Sequence, residues 1–158
     1  VSINSNVQPH LLFAIARQES AFEVHAVSRA GAAGLLQIMP QTAKSTAMSL
    51  NIPYKNSRQL FEIEKNLLIG SSYFKSLLER YDNNRILALA SYNAGPDRVS
   101  TWLSRSSGKL TFDLWIELIP FRETRSYVKS VLMYSAIYSH KIGSQRRMLE
   151  PDEIELLL

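Results

Sequence analysis

Apolar side chains recur at helical spacing along most of the chain, and the longest regular stripe runs from Glu62 to Tyr81. The same spacing predicts six further helices, over residues 9–21, 41–49, 86–93, 96–102, 111–118 and 124–140. No stretch alternates with period two over a useful length. The predicted fold class is therefore all-α, or α+β at most, with loops over residues 24–34 and 51–60 and one further helical turn after Glu150.

Residues with special backbone preferences mark the predicted helix ends. Proline fits the first turn of a helix, where its missing N–H breaks no hydrogen bond, and three predicted helices begin at Pro9, Pro40 and Pro96. Asparagine and threonine favour N-caps, and glycine favours the position just after a helix. These preferences predict caps and stops at Asn83-Asn84, Thr111, Gly95 and Gly143.

Composition places the chain among globular proteins, since 46% of its 158 residues are hydrophobic and 20% are charged. No apolar stretch reaches the roughly 20 residues that a bilayer span needs, and no signal peptide is visible. We therefore expect a single domain over residues 1–158 without stable membrane insertion. The absence of cysteine excludes disulfides, thiolate zinc sites and cysteine nucleophiles. The net charge of +4 is mild and its cations are scattered, so nucleic acid is not an expected partner.

The histidines and glycines form no recognised ligand motif. None of His10, His25 and His140 has a partner four residues further on, and no glycine pattern matches a phosphate-binding loop. We therefore expect neither a metal site nor a cofactor. Four aromatic residues at helical spacing are expected in the core, namely Phe13, Phe74, Tyr134 and Tyr138.

Glu19 is the first of two carboxylates with apolar neighbours. It ends an apolar helix and is followed by Ser20, Ala21 and Phe22. Partial desolvation there is expected to raise the pKa of the Glu19 carboxyl, which favours the protonated acid needed to protonate a glycosidic oxygen. Local sequence alone also allows a helix-end charge paired with Arg17 or another cation.

Glu117 is the second, between Trp115-Ile116 and Leu118-Ile119. A charge among such neighbours is costly unless it is paired or hydrogen-bonded. Glu117 is expected either to pair with an arginine such as Arg122 or Arg125 or to line a cleft and accept hydrogen bonds from a substrate. Spacing does not decide between these two interpretations.

Four segments, in this order, closely resemble the motifs of one enzyme family. They are residues 16–22 (ARQESAF), 31–40 (GAAGLLQIMP), 90–96 (ASYNAGP) and 119–128 (IPFRETRSYV). Together they resemble the soluble lytic transglycosylase family, specifically the lysozyme-like catalytic domain of its large periplasmic members. The resemblance covers about residues 7–140 and leaves residues 141–158 as a C-terminal tail.

The resemblance implies a goose-lysozyme-like, α-rich fold with a saccharide-binding cleft. It implies a peptidoglycan lytic transglycosylase that cleaves the β-1,4 bond between N-acetylmuramic acid and N-acetylglucosamine and leaves a 1,6-anhydromuramyl end. The implied partners are peptidoglycan glycan strands and other cell-wall enzymes, and the implied location is the periplasm. The family's large members carry a helical superhelix before this domain, so the chain is expected to be excised from a longer protein.

The resemblance assigns catalysis to Glu19 alone, acting first as a general acid and then as a base. Seven other positions match residues that support the site or contact sugar, namely Ser20, Gln37, Met39, Tyr92, Asn93, Glu117 and Tyr127. Two positions depart from the pattern: Leu36 stands where methionine is frequent, and Arg122 stands where a small residue often precedes the ETR triplet. Because of Arg122, the substrate preference at this position stays open.

Three other functions stay open at this point. A lysozyme-type hydrolase would need a second carboxylate or a positioned water, and Glu117 is the candidate. A non-catalytic glycan-binding module is expected to have lost the glutamate at position 19, which is present. A nucleic-acid-binding helical domain is the third alternative.

Overall fold

The computed structural model describes residues 7–106 and 110–155, and the described residues are mostly helical. The eight α-helices there are α1 (Pro9–Ser20), α2 (Pro40–Ser49), α3 (Ile63–Arg80), α4 (Arg85–Ala94), α5 (Pro96–Ser104), α6 (Phe112–Leu118), α7 (Arg122–Lys141) and α8 (Pro151–Glu155). A 3-10 helix, Ser57–Phe61, lies in a segment predicted as loop. Pairing of β type in the described part is limited to two isolated bridges. The predicted all-α class is confirmed.

The described residues fall into two compact units that divide between Ser76 and Leu77. We call them the first unit and the second unit. The prediction of a single catalytic domain over residues 1–158 stays a prediction. Among the described residues, no helix is both long and apolar enough to cross a membrane.

The core of the first unit contains side chains from α1, from the loop before α2 and from α3. Ile15, Leu36 and Ile69 are among its fully buried residues. Gly70 of α3 allows Leu36 to pack closely, because a Cβ atom at residue 70 would lie 2.6 Å from Leu36 Cδ1. The loop between α1 and α2 is therefore anchored in the core by its own apolar side chains.

The core of the second unit is built around α4, which packs against α5 and α7, while α6 packs against α7 and α8. Six successive residues of α4, from Ile86 to Ser91, are buried. Asn84 caps this helix, since its side-chain oxygen accepts a hydrogen bond from the N–H of Leu87 at 3.0 Å. The opposite, C-terminal end of this largely buried helix carries Tyr92 and Asn93.

The helix-end predictions are confirmed at the prolines, at Asn84 and at Gly95. Thr111 occupies the N-cap position of α6 but makes no side-chain bond to the backbone. Its hydroxyl instead donates to the carboxylate of Asp113, and this bond lowers the pKa of Asp113.

Two of the aromatic residues predicted in the core differ in burial. Phe74 is fully buried, as predicted. The prediction is wrong for Phe13, which is 49% exposed because it lies on the outer face of α1.

A buried ion pair attaches α8 to α4. Both guanidinium nitrogens Nε and Nη2 of Arg85 donate to the Glu153 carboxylate at 2.7 Å, and the two side chains are only 13% and 8% exposed. Arg85 Nη2 also donates to the carbonyl oxygen of Met148 at 2.8 Å. This single arginine therefore holds two parts of the C-terminal segment.

Replacing Glu153 with glutamine is expected to release the C-terminal segment locally. Loss of one partner leaves a buried unpaired charge, which costs about 3–5 kcal/mol, and local detachment relieves that cost without global unfolding. We expect faster protease cleavage within residues 142–150 than in the wild-type chain. The control is Glu150→Gln, whose pair with Arg146 is longer, 3.7 Å, and more exposed. Equal cleavage rates in the two variants would contradict this account.

Candidate active site

Glu19 lies in the last turn of α1 and is partly buried. The helix ends at Ser20, and the next two residues, Ala21 and Phe22, have positive φ angles of 51° and 69°. Such left-handed conformations are uncommon for residues other than glycine and often occur at functional sites. The chain thus turns sharply directly after the predicted catalytic residue.

Ser20 connects the end of α1 to the glycine-rich loop. Its hydroxyl lies 2.9 Å from the carbonyl oxygen of Leu35 and 3.1 Å from that of Ala16. The contact with Leu35 joins residues that are fifteen positions apart. Ser20 therefore joins the end of α1 to this loop, and its role in supporting the catalytic residue stays a prediction.

The glycine-rich loop, residues 31–38, is held by its own hydrogen bonds. Ala33 and Ile38 exchange two backbone hydrogen bonds of 3.1 Å, and the N–H of Gly34 donates to Ala26. Gln37 has a positive φ of 46°, and its side-chain nitrogen donates to the carbonyl oxygens of Ala26 and Gly34 at 3.0 and 2.8 Å. Both donors of the Gln37 amide are used in these two bonds, so its proposed contact with sugar would use the oxygen.

Asn66 is a supporting residue that the sequence analysis did not select. It is fully buried, and its side-chain nitrogen donates to the carbonyl oxygens of Ala33 and Leu60 at 3.0 and 2.8 Å. Its side-chain oxygen accepts from the N–H of Leu36 at 2.9 Å. Gly34 is required beside it, because a Cβ atom at residue 34 would lie 2.2 Å from Asn66 Nδ2. Asn66 thus attaches the glycine-rich loop to α3.

In the second unit, Asn93 is linked to the start of α7. Its side-chain oxygen accepts a hydrogen bond of 2.7 Å from the hydroxyl of Thr124. Tyr92 precedes Asn93 on α4 and is half-buried, and Tyr127 follows Thr124 by three residues on α7 and is buried. The structure therefore brings the motif segments 90–96 and 119–128 together.

Glu117 differs from the sequence-based expectation. Trp115, Ile116 and Ile119 are buried, but the Glu117 side chain is 56% exposed. Its carboxylate pairs with Lys129 Nζ at 2.5 Å rather than with either arginine that we considered. One of those, Arg125, donates instead to the backbone oxygen of Glu117 at 2.8 Å. Glu117 is thus held by α7 at the surface.

The predicted site residues divide between the two units. Glu19, Ser20, Gln37 and Met39 belong to the first unit, and Tyr92, Asn93, Glu117 and Tyr127 belong to the second. Met39 is 41% exposed at the start of α2, where its side chain is accessible to a ligand. Residues 7–106 and 110–155 contain no group of three or more metal-ligating side chains.

The family model described as the transglycosylase SLT domain matches residues 2–114, well over half of the chain. The chain belongs to this SLT family. A second model, the soluble lytic transglycosylase helical domain, matches residues 118–146. Four predicted site residues lie in the second unit. Tyr92 and Asn93 lie within the SLT match and Tyr127 lies within the helical-domain match, whereas Glu117 falls between the two matches.

Curated SLT relatives are much longer than this chain. It is 48% identical over 141 residues to the soluble lytic murein transglycosylase of Salmonella typhimurium, a match that covers 89% of this chain and 22% of that protein. Identity to the soluble lytic murein transglycosylase of Escherichia coli K12 is 46% over 141 residues, with the same coverage of 89% and 22%. The chain therefore spans less than a quarter of the length of either relative.

Solved structures agree with the family assignment. The 70 kDa soluble lytic transglycosylase of Escherichia coli superposes with a TM-score of 0.95 at 41% identity, over 99% of this chain and 26% of that one. Lytic transglycosylase Slt of Pseudomonas aeruginosa, solved as an inactive mutant, gives a TM-score of 0.91 at 41% identity. This match covers 98% of this chain and 25% of that one. The predicted lysozyme-like SLT fold is thereby confirmed, and the saccharide cleft stays a prediction.

Proposed function

We propose that this chain is the catalytic part of a lytic transglycosylase acting on peptidoglycan. It would cleave the β-1,4 bond between N-acetylmuramic acid and N-acetylglucosamine and leave a 1,6-anhydromuramyl end. One observation carries the proposal: within the SLT match, Glu19 lies at the end of α1 and is attached through Ser20 to the glycine-rich loop. The family and the names of the relatives support the substrate class.

Glu19 supplies the proton in the first half of the proposed reaction. The Glu19 proton passes to the glycosidic oxygen, the bond from that oxygen to the muramyl anomeric carbon breaks, and N-acetylglucosamine leaves as an alcohol. Positive charge at the anomeric carbon is met by the carbonyl of the substrate's own acetamido group.

Glu19 then acts as the base in the second half. Its carboxylate takes the proton of the muramyl C6 hydroxyl, and that oxygen bonds to the anomeric carbon, which closes the anhydro ring and restores the acid. A second protein carboxylate is unnecessary because the nucleophile is tethered to the reacting carbon. Gln37, Met39, Tyr92, Asn93, Glu117 and Tyr127 are proposed substrate contacts.

The hydrolase alternative gains no support from Glu117. Its carboxylate is more than half exposed and pairs with Lys129, so it already has an ionic partner within the protein. We place the proposed activity in the periplasm, where the peptidoglycan strands lie, and we propose other cell-wall enzymes as neighbours in the same process.

Identifying which glycosidic bond is cleaved tests this proposal. Purified chain is incubated with isolated sacculi, and the soluble fragments are identified by mass spectrometry. We expect fragments with N-acetylglucosamine at the non-reducing end and a muramyl residue at the other end. Fragments that end in N-acetylglucosamine instead, or intact sacculi after prolonged incubation, would contradict it.

A further inference from the structure

A pocket of about 530 Å³ opens beside Asn93, within the second unit. Its walls come from the end of α4, the start of α5 and the first turn of α7. The charged side chains on these walls are Arg98, Arg122 and Glu123. Two cations and one anion leave a net charge of +1, so the pocket favours an anionic group.

Arg98 is oriented before any ligand arrives. Its Nη1 donates to the carbonyl oxygen of Ala94 at 2.8 Å, and its Cζ lies 5.4 Å from the centre of the Phe121 ring. The Phe121 ring itself packs edge-on against Trp102, with centroids 5.3 Å apart and planes at 72°. A guanidinium has five N–H donors, so most of those on Arg98 stay available for a ligand. Prior fixation reduces the entropy lost on binding.

Arg122 is the second cation of the pocket. It is the first residue of α7 and is exposed. Across residues 7–106 and 110–155, no carboxylate forms an ion pair with Arg98 or Arg122. The two guanidinium groups therefore have no intramolecular ion-pair partner with which a bound anion would compete.

We propose that Arg98 and Arg122 form a subsite for a carboxylate of the peptide stem on peptidoglycan. The inference rests on the proposed function, because that substrate carries short peptides with free carboxylates on its muramyl residues. A carboxylate is planar and accepts two parallel N–H bonds from a guanidinium, which an uncharged sugar hydroxyl cannot do. The pocket also includes Asn93 in its lining, and the resemblance places this residue beside the catalytic glutamate.

Binding is measured by calorimetry with a soluble disaccharide that carries a peptide stem. The comparison compound has the same structure, but its stem carboxylates are converted to carboxamides. We expect the wild-type chain to bind the carboxylate compound about 10- to 100-fold more tightly, as for a charge-assisted hydrogen-bonded pair. The ratio of the two dissociation constants, carboxamide over carboxylate, should fall towards one in Arg98→Ala and Arg122→Ala.

Two further variants separate the subsite from general charge and from folding. Arg147→Ala removes an exposed cation outside the pocket and should keep the wild-type ratio. Arg98→Lys keeps the charge but loses the planar fork, and we expect a ratio between those of wild type and Arg98→Ala. A melting temperature for each variant verifies that it is folded.

The result that would overturn the subsite is a ratio near one in the wild type, or a ratio that Arg98→Ala and Arg122→Ala leave unchanged. Cleavage of sacculi is measured on the same preparations. Cleavage without a carboxylate preference contradicts only the subsite. A carboxylate preference that depends on both arginines, without any cleavage, supports the subsite and contradicts the proposed function.

Discussion

Replacing Glu19 with glutamine should lower kcat/KM on sacculi by at least about 10²–10⁴-fold, the usual contribution of a positioned acid or base. Glutamine has nearly the same shape but can neither donate the required proton nor accept it. Because this one residue is proposed to act in both halves of the reaction, the loss should lie at the upper end of that range. Release of soluble muropeptides per unit time is the measurement.

The control for Glu19→Gln is Glu64→Gln, which makes the same chemical change at an exposed position in the first turn of α3. This control should retain wild-type activity, and both variants should keep the wild-type melting temperature within a few degrees. Wild-type activity in Glu19→Gln would remove this residue from its proposed role. Loss of activity with a collapsed melting temperature would assign it a structural role instead.

Replacing Asn66 with alanine should lower the free energy of unfolding by about 3–5 kcal/mol. The change leaves one N–H, of Leu36, and two carbonyl oxygens, of Ala33 and Leu60, without their buried partner. Each such group costs about 1–3 kcal/mol when it stays unsatisfied, and local relaxation recovers part of the sum. Equilibrium unfolding in urea measures the difference.

A graded series at this position tests whether the hydrogen bonds account for the loss. Asn66→Asp keeps an acceptor for Leu36 and nearly the same volume, but it presents no N–H donors to Ala33 and Leu60. It also brings a charge into a fully buried site, so we expect it to be at least as destabilising as alanine. A loss below about 1 kcal/mol in Asn66→Ala would contradict the role of Asn66 as the anchor of the loop.

The helices could be predicted because their signals are local. The prolines at the starts of α1, α2 and α5 and the cap at Asn84 act within a few residues of their own position. The candidate site was identified by four motifs in a fixed order rather than by physical chemistry. The neighbours of Glu19 alone favoured a helix-end charge over a catalytic residue.

The missed features depend on contacts between distant parts of the chain. Asn66 bonds to residues that lie 30 and 33 positions earlier, and one asparagine within an amphipathic helix gives no local signal of such bonds. Glu117 lies on a helix of seven residues, and two turns are too short for apolar periodicity to show which face is buried. Phe13 shows the same limit, since helical spacing alone does not establish which side of α1 faces the core.

The source of the oxygen atom that becomes bonded to the muramyl anomeric carbon tests the central claim most directly. Sacculi are digested by the purified chain in water enriched in heavy oxygen, and the muropeptides are weighed. We predict products that lack one water relative to reducing-end muropeptides and that carry no heavy oxygen, because the C6 hydroxyl of the substrate closes the ring. Reducing-end products with one heavy oxygen per cleavage would show that water is the nucleophile and would contradict the account.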